Sequence, residues 1–321
     1  MKVLVAGGAG FIGSHLCARL LDAGHRVLCV DNLLTGSLRN LEALQARPGF
    51  SFVRQDVTDP LAFEAEAVFH LASPASPVGY MAHPFETILV NSLGTYRLLQ
   101  RAREVGARFL LTSTSEAYGD PLEHPQRETY FGNVNPLGPR ACYDESKRLG
   151  ETITMEFSRQ YGLDARIVRI FNTYGPHSQM ADGRMVPNFI TQALSGQPLT
   201  LHGEGAQTRS LCYVSDLVEG LVRAMFTPGT AGEVYNLGNP EEHRVRDFAE
   251  VILRLCGSSS TLVYAPKRQD DPERRRPDIG KAQAQLGWTP GVGLEEGMRR
   301  TIAWFRQERA RQAAALQLPI Q

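Results

Sequence analysis

A doubly wound α/β fold, with a parallel sheet covered on both faces and a smaller, discontinuous C-terminal domain, is predicted by three features of this sequence. Short apolar runs alternate with helical patterns through the first half: KVLVAG (2–7), HRVLCVD (25–31), FSFVRQD (50–56), AVFHLAS (67–73), RFLLTST (108–114) and ARIVRIF (165–171). Several of these runs are almost continuously apolar, as strands buried on both faces are. The first run leads directly into a glycine-punctuated helix start, GGAGFIG. Such alternation implies parallel pairing through right-handed crossovers.

Taking the elements in order, FIGSHLCARLLDAG follows the first strand and TILVNSLGTYRLLQRAREVG precedes the fifth. Both carry helical spacing and stop at Gly24 and Gly106, as C-terminal caps do. After about residue 172 glycines and prolines punctuate shorter elements (NTYGPHSQMADGRMVPN, SGQPLTLHGEGAQTRS), while EVYNLGN (233–239) still reads as a strand. The expected division is therefore 1–174, with returning segments within 211–240, against 175–321. The closing RQERARQAAALQLPIQ reads as a fraying helix and tail.

Composition excludes several classes of function. Lys and Arg total 34, Asp and Glu total 34, and the zero formal charge argues against a general grip on nucleic acid or anionic membrane. Five cysteines (Cys17, Cys29, Cys142, Cys212, Cys256) lie without CxxC spacing, so neither a disulfide framework nor a metal site is expected. The glycine turn begins too early for a secretory leader, and no apolar run approaches the roughly 20 residues of a membrane span. A cytoplasmic protein without internal repeats is the expectation.

Gly7, Gly10 and Gly13 form GxxGxxG between a strand and a helix. Glycines so placed allow a tight turn and close backbone approach to a pyrophosphate at a positive helix N-terminus. Asp31 closes the second strand, where a carboxylate binds ribose hydroxyls and repels a 2′-phosphate. The expected fold is thus Rossmann-type and the cofactor NAD rather than NADP. Phe11, Ile12, Asn32, Thr35, Gly36 and Val57 join this expected wall, with Asp56, Leu71, Ser73 and Thr112 at or near carboxyl ends of strands. Asp56 reads equally well as a cap for the turn at Thr58.

Tyr143 and Lys147 have YxxxK spacing, which puts both on one helix face and beside the cofactor. An ammonium and an oxidised nicotinamide both favour phenolate, so Tyr143 is the candidate base for a sugar hydroxyl. Thr114, ending the RFLLTST strand, supplies a hydroxyl to orient the reacting oxygen.

GGAGFIG, HLAS, STSEAYG, YDESK and RIFNTYGP resemble the extended short-chain dehydrogenases acting on nucleotide sugars. More narrowly, HLASPASPVGYM, STSEAYGDP, GPRACYDESKR, NLGNPEEH and DDPERRRPDIGKAQAQLGW look like the UDP-glucuronate decarboxylases. The resemblance implies a UDP-sugar substrate, a homodimer packing through helices including 91–104 and 144–160, and a tightly held NAD. Where dehydratases of this family carry Thr-Asp-Glu, this chain has Thr114-Ser115-Glu116. Serine cannot protonate a departing hydroxyl, but a 4-keto sugar acid is a β-keto acid and needs no such acid to lose carbon dioxide. The resemblance sets Arg275 against the sugar carboxylate, and Asn172, Arg184, Asn188 and Arg209 along the UDP or cofactor edge. His202 stands where relatives carry an aromatic residue against uracil. Alternatives are a nucleotide-sugar 4-epimerase, a decarboxylase releasing the 4-keto pentose, and a non-catalytic NAD-binding protein.

Overall fold

The structure, a computed structural model, describes residues 1–266 and 274–317. Its centre is a seven-stranded, wholly parallel sheet. Six strands come from the first 170 residues: β1 (Lys2–Ala6), β2 (Arg26–Asp31), β3 (Phe50–Arg54), β4 (Ala67–His70), β5 (Arg108–Thr114) and β6 (Ala165–Ile170). Their spatial order is β6-β5-β4-β1-β2-β3, and Val234–Leu237 returns to pair with β6 at the edge. The chain thus builds outward from β1 to β3, then crosses back to lay β4 on the other side of β1. The carboxyl ends of β1 and β4 therefore flank the crevice where such folds take ligands.

Alternation along each strand divides the core between two faces. Leu4 and Ala6 join Val30, Val68, Phe109 and Ile167 on one side, whereas Val3 and Val5 join Val27, Phe69, Leu110 and Val168 on the other. Both sides are buried, which is why these runs read as continuously apolar.

The 84–104 stretch departs from the single helix its spacing predicts. Helix Pro84–Leu89 passes through a wide π turn, Val90–Gly94, before Thr95–Glu104. The turn serves Asn91, whose buried side-chain amide donates to Ser73 Oγ (3.1 Å) and Ser146 Oγ (3.0 Å). Its carbonyl accepts from Thr95 Oγ1 at 2.7 Å and lies where a Cβ on Gly150 would come within 2.9 Å.

Beyond residue 172 the strands are short and pair among themselves. Thr173–Tyr174 lies beside Cys212–Tyr213, and Leu199–His202 beside Leu262–Ala265. Thr208–Ser210 forms the middle of a three-stranded sheet between Glu242–Arg244 and Arg274–Arg275. In that last pairing Arg275 stands opposite Arg209. The terminal helix runs over Leu294–Gln317 and buries Met298, Ile302 and Phe305.

Candidate active site

The crevice beside β1 is lined by Gly7, Gly10, Asp31, Asn32, Thr35, Gly36, Asp56, Val57, Leu71 and Ser73, so ten of the expected cofactor residues share one cleft. Gly7 has φ +81°, and a Cβ there would strike the Ala72 backbone nitrogen at 2.5 Å. At Gly13 a Cβ would sit 2.2 Å from the Gly7 carbonyl oxygen, because helix α1 (Phe11–Asp22) packs against the turn. Gly10 is different: its φ of −75° and ψ of 178° suit any residue, and a Cβ would meet only Gly7 O, at 3.2 Å. The backbone conformation does not require glycine at position 10, and its lack of a side chain leaves the backbone open to a ligand.

Asp31 accepts from Ala9 N at 3.0 Å and Leu33 N at 2.8 Å, which fixes its carboxylate at the cleft wall. Burial pushes its pKa up, and those two N–H groups pull it back in part. Asp56 caps its turn and also lines the cleft. Oδ1 caps the turn through Thr58 N (2.8 Å) and Thr58 Oγ1 (2.6 Å), while Oδ2 holds Asn32 Nδ2 at 2.7 Å in the cleft. Burial would raise its pKa, but these hydrogen bonds outweigh it and leave the carboxyl below its ordinary value. The glycine turn, the N-terminus of α1 and the Asp31 carboxylate in the cleft wall together fit NAD.

Tyr143 and Lys147 lie on one face of the Ala141–Tyr161 helix, both buried against the end of β5. Lys147 Nζ donates to Thr112 O at 2.9 Å and stands 5.9 Å from the Tyr143 ring centroid. Thr112 Oγ1 in turn donates to His70 O at 2.9 Å. Burial works against the ammonium's share of the expected electrostatics. Burial drives the Lys147 pKa down to about 7, with Glu151 opposing it. Burial also raises the Tyr143 pKa, and Glu116 and Asp144 add to that while a hydrogen bond with Thr114 offsets some of it. The protein alone therefore keeps Tyr143 neutral, because desolvating a phenolate outweighs a neighbour that is itself poorly charged.

Beyond the end of β5 lies a clamp around Glu116. Thr114 caps the short turn Ser115–Tyr118 by accepting from Glu116 N at 3.2 Å, which turns the Glu116 side chain inward; Ser115 is buried beside it. Arg140 Nη2 meets Glu116 Oε2 at 2.5 Å, and Arg275 Nη1 bonds Glu116 Oε1. Burial alone would raise the Glu116 pKa, but Arg275 first and Arg140 second hold it at about 2. Arg275 is only 3% exposed, while Arg274 is exposed and Arg276 half-buried, as alternation along a strand dictates. Arg275 Nη2 donates to Gly119 O at 3.2 Å, and its buried Nε has no hydrogen-bond acceptor among the described residues.

The other expected substrate residues fall at different depths. Arg209 is buried beside Arg275, with Nη1 on Thr208 O at 2.8 Å. Asn172 follows β6 and accepts Cys212 N at its carbonyl. Arg184 is held by Asp182, Nε to Oδ2 at 2.7 Å, and lies 5.6 Å from the Phe11 ring centroid. That brings it to the start of α1, on the cofactor side, with Asn188 one helical turn further. His202 Nδ1 bonds Pro266 O at 3.1 Å.

Three residues of this site were not singled out by sequence reasoning. Arg140, the second jaw of the clamp, precedes Tyr143 by three residues. Tyr80 stacks on Tyr143 at 5.1 Å with 11° between planes. Asp144, next to Tyr143, is 7% exposed, and its Oδ1 is buried without a hydrogen-bond partner among the described residues. A charged residue on each side of the YxxxK tyrosine was the available signal for two of them.

The model of the NAD dependent epimerase/dehydratase family matches residues 3–238. A UDP-glucuronic acid decarboxylase of Danio rerio is 51% identical over 99% of this chain and 76% of its own length. Among solved structures, the UDP-glucose 4-epimerase of Thermotoga maritima, with UDP-glucose, superposes with a TM-score of 0.88 at 32% identity, over 96% of this chain and all of the other. A UDP-glucuronic acid 4-epimerase of Bacillus cereus, in complex with UDP-glucuronic acid and NAD, gives 0.86 at 28% identity over the same shares.

Proposed function

We propose, for a chain that belongs to the NAD dependent epimerase/dehydratase family, that it converts UDP-glucuronate to UDP-xylose and carbon dioxide. The observation that carries this reading is the clamp: two arginines converge on Glu116 beside Tyr143, and Arg275 Nε still lacks an acceptor. A buried guanidinium donor left open beside an acid/base tyrosine suits a carboxylate on the sugar. The relation to a decarboxylase at 51% identity supports the same substrate.

The cofactor is NAD, held by Gly7, Gly10, Gly13 and Asp31. Bound there, it would supply the hydride acceptor and donor for C4 of the sugar. Tyr143 accepts the C4 hydroxyl proton, with Thr114 orienting the oxygen and Lys147 fixed behind them by its bond to Thr112 O. Oxidation at C4 makes the C6 carboxylate that of a β-keto acid. Its loss leaves an enolate whose oxygen the Tyr143 hydroxyl stabilises. Ser115 packs against the reacting end, and Glu116 keeps Arg140 and Arg275 oriented toward the carboxylate. Arg209 and Asn172 serve the diphosphate, and Arg184 and Asn188 the cofactor edge.

Residues 1–174 with the Val234–Leu237 strand carry the cofactor and 175–321 mainly the nucleotide sugar. Exposed Phe85, Ile88, Leu89, Tyr96, Leu149 and Tyr161 on the helices of 84–104 and 141–161 suit a homodimer face. No helix among the described residues is long and apolar enough to cross a membrane, and all five cysteines are free, which suits a cytoplasmic enzyme. Incubating the protein with UDP-glucuronate, with and without added NAD, should yield UDP-xylose and one equivalent of carbon dioxide. Formation of UDP-galacturonate without carbon dioxide would replace this reading with 4-epimerisation.

A further inference from the structure

Arg275 sits on a strand too short to hold it by pairing alone. Arg274–Arg275 is two residues long, and Thr208–Arg209 pairs with one edge of it. The Arg275 guanidinium is nonetheless buried in one arrangement, with Nη1 on Glu116, Nη2 on Gly119 O and Nε left as a donor without an acceptor among the described residues. A long side chain keeps such an arrangement where its backbone is fixed by neighbours.

One buried residue supplies that support. Gln126 is 0% exposed. Its backbone N–H donates to Arg276 O at 2.9 Å, and its side-chain Oε1 accepts from Arg276 N at 2.9 Å, so a single residue clasps the backbone next to Arg275 from both sides. The Gln126 carbonyl accepts from Asp278 N at 2.8 Å, while Nε2 donates to Glu123 O at 2.6 Å. Asn236, also fully buried, extends the network: Nδ2 donates to Gln126 O at 3.1 Å, and Oδ1 accepts from the Tyr118 hydroxyl at 2.7 Å. Tyr118 ends the turn that carries Glu116. Gln126 and Asn236 thus join the two segments whose side chains meet in the Arg275–Glu116 pair. An apolar side chain at position 126 would leave Arg276 N without an acceptor, and an ionised glutamate would lack the donor for Glu123 O; the amide supplies both.

We propose that Gln126 is the positioning residue that makes this pocket select a sugar acid: by clasping Arg276 it fixes Arg275 so that the guanidinium meets a carboxylate on the sugar. The assignment rests on the decarboxylase reading above. Fully buried, Gln126 acts through Arg275 rather than on the sugar, so its influence is confined to ligands that carry the carboxylate. UDP-glucuronate and UDP-xylose differ only in that group. The ratio of their affinities therefore reports the placement of Arg275, while contacts to the UDP and the shared hydroxyls cancel.

The test measures both affinities by calorimetry on the whole NAD-loaded enzyme in a Tyr143→Phe background, where UDP-glucuronate binds without being consumed. That enzyme should bind UDP-glucuronate about tenfold more tightly than UDP-xylose. Adding Gln126→Met, which matches the side chain in length and removes both polar atoms, should raise the Kd for UDP-glucuronate about tenfold and leave that for UDP-xylose within about twofold. Gln126→Asn keeps an amide that is too short to reach Arg276 N. It should weaken UDP-glucuronate about threefold with the same selectivity, and it carries the test if the Met variant does not fold. Equal losses for the two ligands would make Gln126 a general support of the loop, and an unchanged Kd for UDP-glucuronate would mean that Arg275 is placed without it. Either result overturns the assignment and leaves the decarboxylase reading intact. Equal affinity of the Tyr143→Phe enzyme for the two ligands would remove the carboxylate subsite and overturn both.

Discussion

Residues 2–31 alone supply the glycine turn, the helix N-terminus and Asp31 at the proposed cofactor end of the cleft. The sugar end takes Glu116 from the turn after β5, Arg140 from the entry to the acid/base helix, and Arg275 from a strand more than 130 residues later. One end is shaped by backbone and by the absence of side chains. The other is an assembly of charges that satisfy one another only when distant segments meet. The cofactor end should therefore fail sterically, one glycine at a time, and the sugar end electrostatically, through partners left unpaired. Substitutions at the two ends should separate cofactor retention from turnover.

The largest separation is expected at Tyr143. Replacing it with Phe keeps the ring that stacks on Tyr80 and removes only the hydroxyl. Turnover of UDP-glucuronate should fall by about 10³-fold or more, while NAD stays bound at wild-type stoichiometry after gel filtration. A variant that turns over normally would remove Tyr143 from the chemistry, and one that loses NAD would merge the two ends.

Arg275→Gln comes next. We expect kcat/KM for UDP-glucuronate to fall about 100-fold, roughly the 2–3 kcal/mol of a lost charge-assisted contact, with NAD affinity unchanged. Its pH behaviour sharpens the point. A carboxyl held at about 2 contributes stability above its unfolded value near 4.5, and that contribution is lost as pH falls toward 2. Without Arg275 the Glu116 pKa must rise toward its unfolded value, so folded and unfolded states differ less in proton uptake and acid removes less stability. Urea midpoints at pH 7 and pH 4 should show the variant losing less on acidification than wild type; parallel losses would mean that Arg140 alone holds Glu116.

The same contrast explains what could be read from the chain beforehand. The glycine turn, Asp31 and the Tyr143/Lys147 pair are short-range patterns whose geometry follows from one strand, one turn or one helix. Arg275 could be put against the sugar acid only by resemblance, since its pairing opposite Arg209 depends on strands brought together by the fold. Arg140 and Asp144 lay in plain view around Tyr143, yet no spacing rule says that one would clamp Glu116 and the other stay unpaired. The charge state of the acid/base pair was hard to read for a related reason. Proximity of ammonium to phenol is visible in YxxxK, whereas the burial that weakens the ammonium and raises the phenol is a property of the packed molecule.

The smallest effect, at Gly10, tests the comparison most finely. Gly13→Ala forces a Cβ to within 2.2 Å of Gly7 O and 2.8 Å of Gly8 Cα, so the turn itself must move. Both folding stability, by about 1–3 kcal/mol, and NAD binding should suffer. Gly10→Ala meets only Gly7 O, at 3.2 Å, in a conformation alanine adopts freely. The folded protein should barely register it, with less than about 0.5 kcal/mol change in the urea midpoint. The methyl group nonetheless projects where the pyrophosphate approaches the backbone, and the Kd for NAD measured by calorimetry should rise about tenfold. Equal losses of stability in the two variants would mean that Gly10, like Gly13, serves the turn; an unchanged Kd would mean that the dinucleotide keeps clear of this backbone, and the cofactor end would then be defined by Gly7, Gly13 and Asp31 alone.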